Sequence, residues 1–161
     1  MRLGGFFSAA TREDLPRVAD RLDCYGLAAI PAPGAYHEWA DDECAAFGAE
    51  AVRLDIVVGE SGYWANLLAR DEATRASRIA EVRARLVKAD AMGCRSVVSL
   101  VGSGHASGSA VVPDAYNYTE ACKAEFREVV LRILDGLTLA GTRYIIEPWH
   151  NTFFYKPADI A

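Results

Sequence analysis

The sequence lacks an excess of positive charge and a long apolar run, and each absence excludes a class of protein. It holds 17 lysines and arginines against 22 aspartates and glutamates, a net charge of −5, so nothing attracts nucleic acid or an anionic membrane. No stretch approaches the ~20 apolar residues of a membrane-spanning helix, and residues 1–7 are too short for a secretory signal. We therefore predict a soluble, cytoplasmic protein with no nucleic-acid or membrane partner, which binds a small molecule or another protein.

A paired cysteine motif is also missing. The four cysteines are Cys24, Cys44, Cys94 and Cys122, and none forms a C-x-x-C pair. Structural zinc sites and thioredoxin-like redox sites need that close spacing. Because the surrounding segments have the patterns of helices and strands, we interpret the cysteines as buried thiols in a reducing compartment rather than disulfides.

Short apolar segments typical of strands alternate with segments of helical periodicity. The predicted strands are residues 2–7, 27–30, 52–58, 96–101 and 144–146. Between strands, apolar residues recur at helical spacing, most clearly from Ile79 to Ala89, where arginines occupy a face that we interpret as solvated. The order βαβαβαβαβ predicts an α/β protein with about five parallel strands and four intervening helices.

Two architectures share this order: an open doubly wound sheet and a (β/α)8 TIM barrel cut off after five strands. Residues 156–161 are similar to the first turn of a further helix. A chain that stops there favours the partial barrel, so we expect residues 1–161 to be a single domain, the N-terminal part of a truncated barrel. Uncovered strand edges predict that the isolated chain aggregates or forms a homo-oligomer.

Polar residues suited to ligand binding follow the carboxyl ends of the predicted strands. The segments before the strands carry mainly glycines that end helices. In both architectures, ligands bind at the carboxyl ends of the parallel strands. In chain order, the candidates at these ends are Glu60, Trp64, Asn66, Ser103, His105, Glu147, Trp149 and His150. This asymmetry between the two ends predicts a binding site at the carboxyl edge of the sheet.

Glu147 is the central candidate, because it follows a short apolar strand and precedes Pro148. Proline has no backbone donor and ends the ladder of hydrogen bonds. A carboxylate there must be paired, hydrogen-bonded or metal-bound unless the strand end simply meets solvent. His150 lies three residues further on and could contact a substrate. A single glutamate cannot hold a metal, so any further ligands must come from elsewhere.

The loop Gly102–Gly108 lacks both the G-K-[ST] ending of a P-loop and the G-x-G-x-x-G spacing of a dinucleotide site. We interpret it as a flexible lid or a plain linker. His37, which precedes a predicted helix, has no obvious partner, and we interpret it as a surface residue.

Several of these segments together resemble the sugar phosphate isomerase/epimerase family of xylose-isomerase-like TIM barrels. The resemblance rests on Ile56–Leu68, Asp71-Glu72, Ala91–Cys94 and Ile146–Pro148. It covers nearly the whole chain, matched to the first five strands of such a barrel. The resemblance implies a metal-dependent isomerase or epimerase that acts on a sugar or sugar phosphate by proton transfer beside a carbonyl.

The resemblance also implies roles for particular residues. Family members bind a divalent metal (Mn, Mg, Co or Zn) through residues after strands five to eight, and Glu147 matches the first of these ligands. Glu147 would then be both a metal ligand and a catalytic acid/base, while the other three ligands are expected beyond Ala161. The predicted substrate-binding residues are Glu60, Trp64, Asn66, His105 and His150. The 161-residue chain is expected to be inactive alone.

Two other functions stay open. A Glu-Pro pair also follows a strand in retaining glycoside hydrolases, in which Glu147 would be the general acid. The residue before that glutamate is typically asparagine in the glycosidase families this would resemble, and here it is Ile146. A non-catalytic half-barrel used for binding or assembly also fits the sequence.

Overall fold

The computed structural model describes residues 2–155, and this range contains four α-helices and four β-strands. The helices are Leu15–Cys24 (α1), Asp41–Arg53 (α2), Glu72–Met92 (α3) and Glu120–Leu134 (α4). The strands are Ala29–Pro31 (β1), Val57–Tyr63 (β2), Ser96–Ser99 (β3) and Arg143–Ile146 (β4). The strands are parallel and lie in the order β1-β2-β3-β4, which confirms the predicted α/β class.

Two compact units divide the chain. Unit 1 comprises residues 1–62, 84–97 and 138–144, and unit 2 comprises residues 63–83, 98–137 and 145–161. The expectation that residues 1–161 form a single domain stays a prediction. The helical turn predicted over residues 156–161 lies outside the described residues.

The N-terminal segment, predicted to be the first strand, makes one parallel bridge between Gly4 and Ala29. The amide of Gly5 donates to Ala29 O at 2.9 Å, and the amide of Ala28 donates to Leu3 O at 2.8 Å. Two consecutive glycines have no side chains to pack and weaken a strand. The segment therefore runs beside β1 without becoming a regular strand.

The predicted boundary between the second helix and the next strand is wrong by several residues. Helix α2 continues to Arg53, and β2 begins only at Val57. Cys44, Phe47 and Ala51 are all buried, so the apolar residues keep their helical spacing up to the point where the strand over residues 52–58 was predicted to begin. Val52, the first residue of the predicted strand, lies in α2 and is 77% exposed.

The four arginines of α3 are half-buried and three of them bind backbone carbonyls, so their interpretation as a solvated face is wrong. In unit 2, Arg78 donates to Asn66 O at 2.7 Å. Arg83 donates to the carbonyls of Arg132 and Ile133, both at 2.8 Å, near the C-terminus of α4. The last carbonyls of a helix have no partner within the helix, and Arg83 supplies one from outside.

All four cysteines are free, and three of them are buried as predicted, whereas Cys24 is exposed at the end of α1. Burial raises the pKa of the Cys94 thiol to about 11, and the negative charge of Glu60 acts in the same direction. Burial likewise raises the pKa of Cys122 to about 11. The thiolate is the reactive form of cysteine, so burial and the raised pKa both lower the reactivity of these two thiols.

We expect one of the four thiols to react rapidly with a disulfide reagent such as DTNB at pH 8, because only Cys24 is exposed. The other three should react only after unfolding in denaturant. Absorbance counts the thiols, and peptide mass spectrometry identifies them. Cys24→Ser should remove the fast phase, and two or more fast equivalents in the native protein would contradict the assignment.

Asp90 anchors the segment that leads into β4 within unit 1. Its carboxylate accepts from the amides of Ala140 at 2.8 Å and of Gly141 and Thr142, both at 2.9 Å. Burial by itself acts to raise the pKa of Asp90, but these hydrogen bonds outweigh it and the pKa lies below its ordinary value of 3.8. The ionised carboxylate therefore stabilises this approach to β4.

Asp90→Asn should lower the free energy of unfolding by about 1–3 kcal/mol at pH 7, since one amide oxygen cannot replace two charged ones. The folded-state pKa of Asp90 is lowered, so its contribution is present above the unfolded pKa and is lost as pH falls through the folded pKa. Urea denaturation at pH 7 and below pH 3 measures this difference. Asp20→Asn, at an exposed position of α1, is the control, and equal effects of both variants would contradict the role of Asp90.

Candidate functional site

The segments that follow β2, β3 and β4 in unit 2 carry five of the six predicted site residues. We define these segments, residues 64–71, 100–119 and 147–155, as the rim loops. Trp64 and Asn66 lie in the first, His105 in the second, and Glu147 and His150 in the third. Glu60 belongs to unit 1.

Glu147 directly follows β4, and its backbone position is fixed by a strand-type hydrogen bond. Its amide donates to Ser99 O at 2.9 Å, which continues the pairing of β4 with β3. The residue is half-buried. Within residues 2–155, no side chain forms a hydrogen bond or ion pair with its carboxylate. Glu147 thus has a fixed backbone position and a carboxylate without a partner in the described part of the chain.

A tight turn follows Glu147. The carbonyl of Trp149 accepts from the amide of Thr152 at 3.1 Å and from its hydroxyl at 2.8 Å. The ring centroids of Trp149 and His150 are 5.4 Å apart. Trp149 is half-buried and His150 is exposed, so the imidazole is accessible from solvent.

Asn66 is buried, at 1% exposure, and its amide is occupied by backbone groups. Its Nδ2 donates to Ser103 O at 2.8 Å, while its Oδ1 accepts from the amides of Ser103 and Leu68, both at 2.9 Å. These bonds join the rim loop after β2 to the one after β3. Trp64, two residues earlier, is 53% exposed. Substrate contact by Trp64 and Asn66 stays a prediction.

Two further asparagines, which the sequence did not single out, link the rim loops. Asn117 is fully buried, and its Oδ1 accepts from Gly104 N at 2.9 Å. Its Nδ2 donates to Ser103 Oγ at 3.0 Å and to Asn151 O at 3.1 Å. Asn151 Nδ2 donates to Val111 O at 2.6 Å. Asparagine is common in exposed turns, so its residue type alone gave no signal of this buried network.

Asn151 also has an unsatisfied acceptor. Its Oδ1 is buried and has no hydrogen-bond partner among the described residues. Reversing the amide would place an oxygen 2.6 Å from Val111 O, so the assigned orientation is the favourable one. A buried acceptor without a donor costs about 1–3 kcal/mol, and a water or ligand hydroxyl would remove that cost.

The loop Gly102–Gly108 is not a plain linker along its first half, because Gly102, Ser103 and Gly104 are buried. Further on, His105 Nδ1 lies 2.9 Å from Ser107 Oγ and accepts from Ser107 N at 3.2 Å. That acceptor role places the proton of the neutral imidazole on Nε2. Contact between His105 and a substrate stays a prediction.

Glu60 lies in unit 1 beside an apolar groove of about 160 Å³. The register of β1 and β2 shifts between Ile30 and Pro31, so Pro31 pairs with Glu60, and Glu60 O accepts from Ala32 N at 2.8 Å. The side chain of Glu60 is exposed. The groove is lined by Gly4, Gly5, Phe6, Ala29, Ile30, Pro31, Gly59 and Glu60.

His37 is half-buried, so its interpretation as a surface residue is wrong. Its Nε2 lies 3.3 Å from Arg85 Nη2 and 3.8 Å from Glu38 Oε1. The ring is 6.1 Å from that of Tyr36, and its Nδ1 is buried without a partner in the described part of unit 1. His37 lies in the short 3₁₀ helix Tyr36–Glu38, and its ring contacts Arg85 of α3.

Glu147 carries a carboxylate that is a suitable donor for a metal ion. A carboxylate oxygen suits Mg and Mn and also binds Co and Zn. In the described range, however, no group of three or more histidine, cysteine, aspartate or glutamate side chains could hold a metal ion. These residues by themselves do not complete a metal site.

Comparison with solved structures shows which fold this arrangement belongs to. D-psicose 3-epimerase, solved in the presence of D-fructose, matches 84% of this chain and 48% of its own, with 19% identity and a TM-score of 0.59. The apo form of 3-keto-D-glucoside 4-epimerase from E. coli matches 94% of this chain and 57% of its own, with 12% identity and a TM-score of 0.61. At these identities the likeness shows the fold, a partial TIM barrel.

The chain spans about half the length of these solved structures. No protein-family model and no curated protein sequence matches it. In residues 2–155, no helix has the length and apolar character needed to cross a membrane. The comparisons with solved structures therefore show a partial TIM-barrel fold and no activity of this chain.

Proposed function

We propose that this chain is the N-terminal half of a sugar isomerase or epimerase, in which Glu147 transfers a proton beside the substrate carbonyl. The observation that carries the proposal is the carboxylate of Glu147, which follows β4 at its carboxyl end in a partial TIM barrel and has no partner among residues 2–155. Ligands bind at this end of the strands in such barrels. The two matched structures are sugar epimerases, which supports the substrate class.

The chemistry assigned to this chain is general base and acid catalysis. Glu147 would remove the proton from the carbon beside the carbonyl, and return of a proton to the enediolate from the other face, or at the other carbon, gives the epimer or isomer. His150 lies three residues after Glu147, in the turn from Trp149 to Thr152, and is exposed to solvent, where it would contact a substrate hydroxyl. A divalent metal with Glu147 as one ligand would polarise the substrate oxygens.

Product formation tests this proposal in the protein expressed from its complete gene. We expect incubation with D-fructose and related ketoses in the presence of Mn²⁺ to give an epimer or aldose that chromatography resolves. Chelation with EDTA should stop the reaction, and added Mn²⁺ should restore it. If no ketose or aldose is converted, the proposed function is wrong. If conversion is unaffected by chelation, only the metal requirement is wrong.

An alternative from another class is a half-barrel that binds or assembles without catalysis. The two functions make different predictions for the sequence after Ala161. If the gene continues, the catalytic proposal predicts three more strands that end in an aspartate, a histidine and a glutamate. If it does not, the assembly module predicts a discrete oligomer of the isolated chain, which light scattering measures.

The retaining-glycosidase alternative has a separate test. A mechanism-based sugar inhibitor should label a glycosidase covalently at its nucleophile. Labelling detected by intact-protein mass spectrometry would favour that function over the epimerase proposal.

A further inference from the structure

We propose that Asn117 is a positioning residue of the candidate site, whose buried amide fixes the turn that carries His150. We define this turn, residues 149–152, as the His150 turn. The inference rests on the proposed function, in which His150 contacts a substrate hydroxyl. It adds a residue that touches no substrate and acts on substrate binding through the position of the turn.

The His150 turn has little structure of its own. It lies between β4 and the 3₁₀ helix Phe153–Tyr155 and belongs to neither. Inside the turn, the carbonyl of Trp149 accepts from the amide of Thr152 at 3.1 Å and from its hydroxyl at 2.8 Å. A short irregular segment held only by such a local contact samples several backbone conformations. A contact from outside is needed to keep His150 in one place.

Asn117 supplies that contact. Its Nδ2 donates to Asn151 O at 3.1 Å. Among residues 2–155, no other group outside the turn bonds to the main chain of residues 148–151. The side chain of Asn151 then donates to Val111 O at 2.6 Å. Both asparagines are buried, at 0% and 1% exposure, so these hydrogen bonds are shielded from water and stronger than surface ones.

Asn117 is itself held by the rim loop after β3. Its Oδ1 accepts from Gly104 N at 2.9 Å, and its Nδ2 also donates to Ser103 Oγ at 3.0 Å. Its own amide donates to Asp114 O at 3.0 Å. These bonds fix the orientation in which the side chain meets the His150 turn. A turn that is ordered before the substrate arrives loses little freedom on binding, which favours tighter binding.

Glu147 is fixed in a different way. Its amide donates to Ser99 O at 2.9 Å in the pairing of β4 with β3, and Pro148 separates it from the turn. Loss of the Asn117 contact should therefore weaken substrate binding through His150 and leave proton transfer by Glu147 intact. A change of this kind raises KM and leaves kcat unchanged.

Steady-state kinetics of the protein from its complete gene test this inference, with D-fructose and related ketoses in the presence of Mn²⁺. Asn117→Asp keeps the size of the side chain and the acceptor for Gly104 N, but replaces the Nδ2 donor by an oxygen. We expect KM to rise about three- to tenfold and kcat to stay within about twofold of the wild type. Asn117→Ser, whose hydroxyl is too short to replace the donor, should do the same.

A double-mutant cycle with His150→Ala shows whether Asn117 acts through His150. His150→Ala should raise KM by itself, and Asn117→Asp should then raise it by less than about twofold more, because both changes remove one contact. Asp90→Asn is the stability control, since it weakens hydrogen bonds that lie within unit 1. Its KM should stay within about twofold of the wild type.

Several results would overturn the inference and leave the sugar-enzyme proposal intact. These are an unchanged KM in both Asn117 variants, a rise that persists in full without His150, and an equal rise in Asp90→Asn. Failure of both Asn117 variants to fold would assign Asn117 to the fold alone. A wild type that converts no ketose overturns the inference together with the proposed function.

Discussion

Glu147→Gln is expected to lower the rate of sugar conversion by about 10²–10⁴-fold, the usual contribution of a general acid or base. Glutamine keeps the size of the side chain but cannot accept the substrate proton at neutral pH. The Glu147 carboxylate makes no hydrogen bond or ion pair in the described structure. The free energy of unfolding of the variant should therefore lie within about 0.5 kcal/mol of that of the wild type. Conversion rates from chromatography and urea denaturation measure the two effects.

Glu120→Gln is the matched control for Glu147, because it makes the same chemical change at an exposed position in the first turn of α4. Its conversion rate should stay within about twofold of the wild type, as expected for a surface change. Retained conversion in Glu147→Gln would remove Glu147 from the mechanism. A large loss of stability in that variant would show instead that the side chain supports the fold.

Gly102→Ala should lower the free energy of unfolding by about 3 kcal/mol or more, since two costs add at one position. Gly102 has φ +101°, a conformation that residues with a Cβ rarely adopt. A Cβ there would also lie 2.2 Å from Asn66 Oδ1 and 3.0 Å from the amides of Leu67 and Leu68. The added methyl group would thus displace the buried amide that joins two rim loops.

Gly108→Ala separates these two costs. Gly108 also has a positive φ, of +73°, but a Cβ at that position would meet nothing within 4 Å. The free energy of unfolding of this variant should fall by only about 1 kcal/mol, the cost of placing alanine in this backbone conformation. Urea denaturation of both variants gives the comparison, and equal losses would show that the contact with Asn66 costs nothing.

The periodic features of the sequence predicted much of the fold. Leu15, Val18 and Leu22 of α1 are buried as their helical spacing indicates. The same is true of the longer apolar series in α3 and α4, because the helical period is unambiguous over several turns. The boundary between α2 and β2 failed because the apolar residues from Ala51 to Val58 are interrupted only by Arg53 and Asp55, and such a stretch fits the end of a helix as well as a strand.

The polar interior of unit 2 could not be predicted in the same way. Asn117 and Asn151 are far apart in sequence and have no period or motif, yet both are buried. Their burial depends on hydrogen bonds between loops, which only the folded backbone defines. Glu147 could be identified as a candidate because its signal is local in the sequence. A carboxylate directly after a short apolar strand is an unusual feature, and neighbouring residues alone are enough to recognise it.

The most direct test of proton transfer by Glu147 is deuterium incorporation into a ketose by the protein from its complete gene in D₂O. NMR should show exchange at a carbon beside the carbonyl, at a rate that matches epimer or isomer formation and falls with Glu147→Gln. Incorporation of that kind reports proton transfer through solvent-exchangeable groups. Conversion without any deuterium at that carbon, or exchange that persists undiminished in Glu147→Gln, would contradict proton transfer by Glu147.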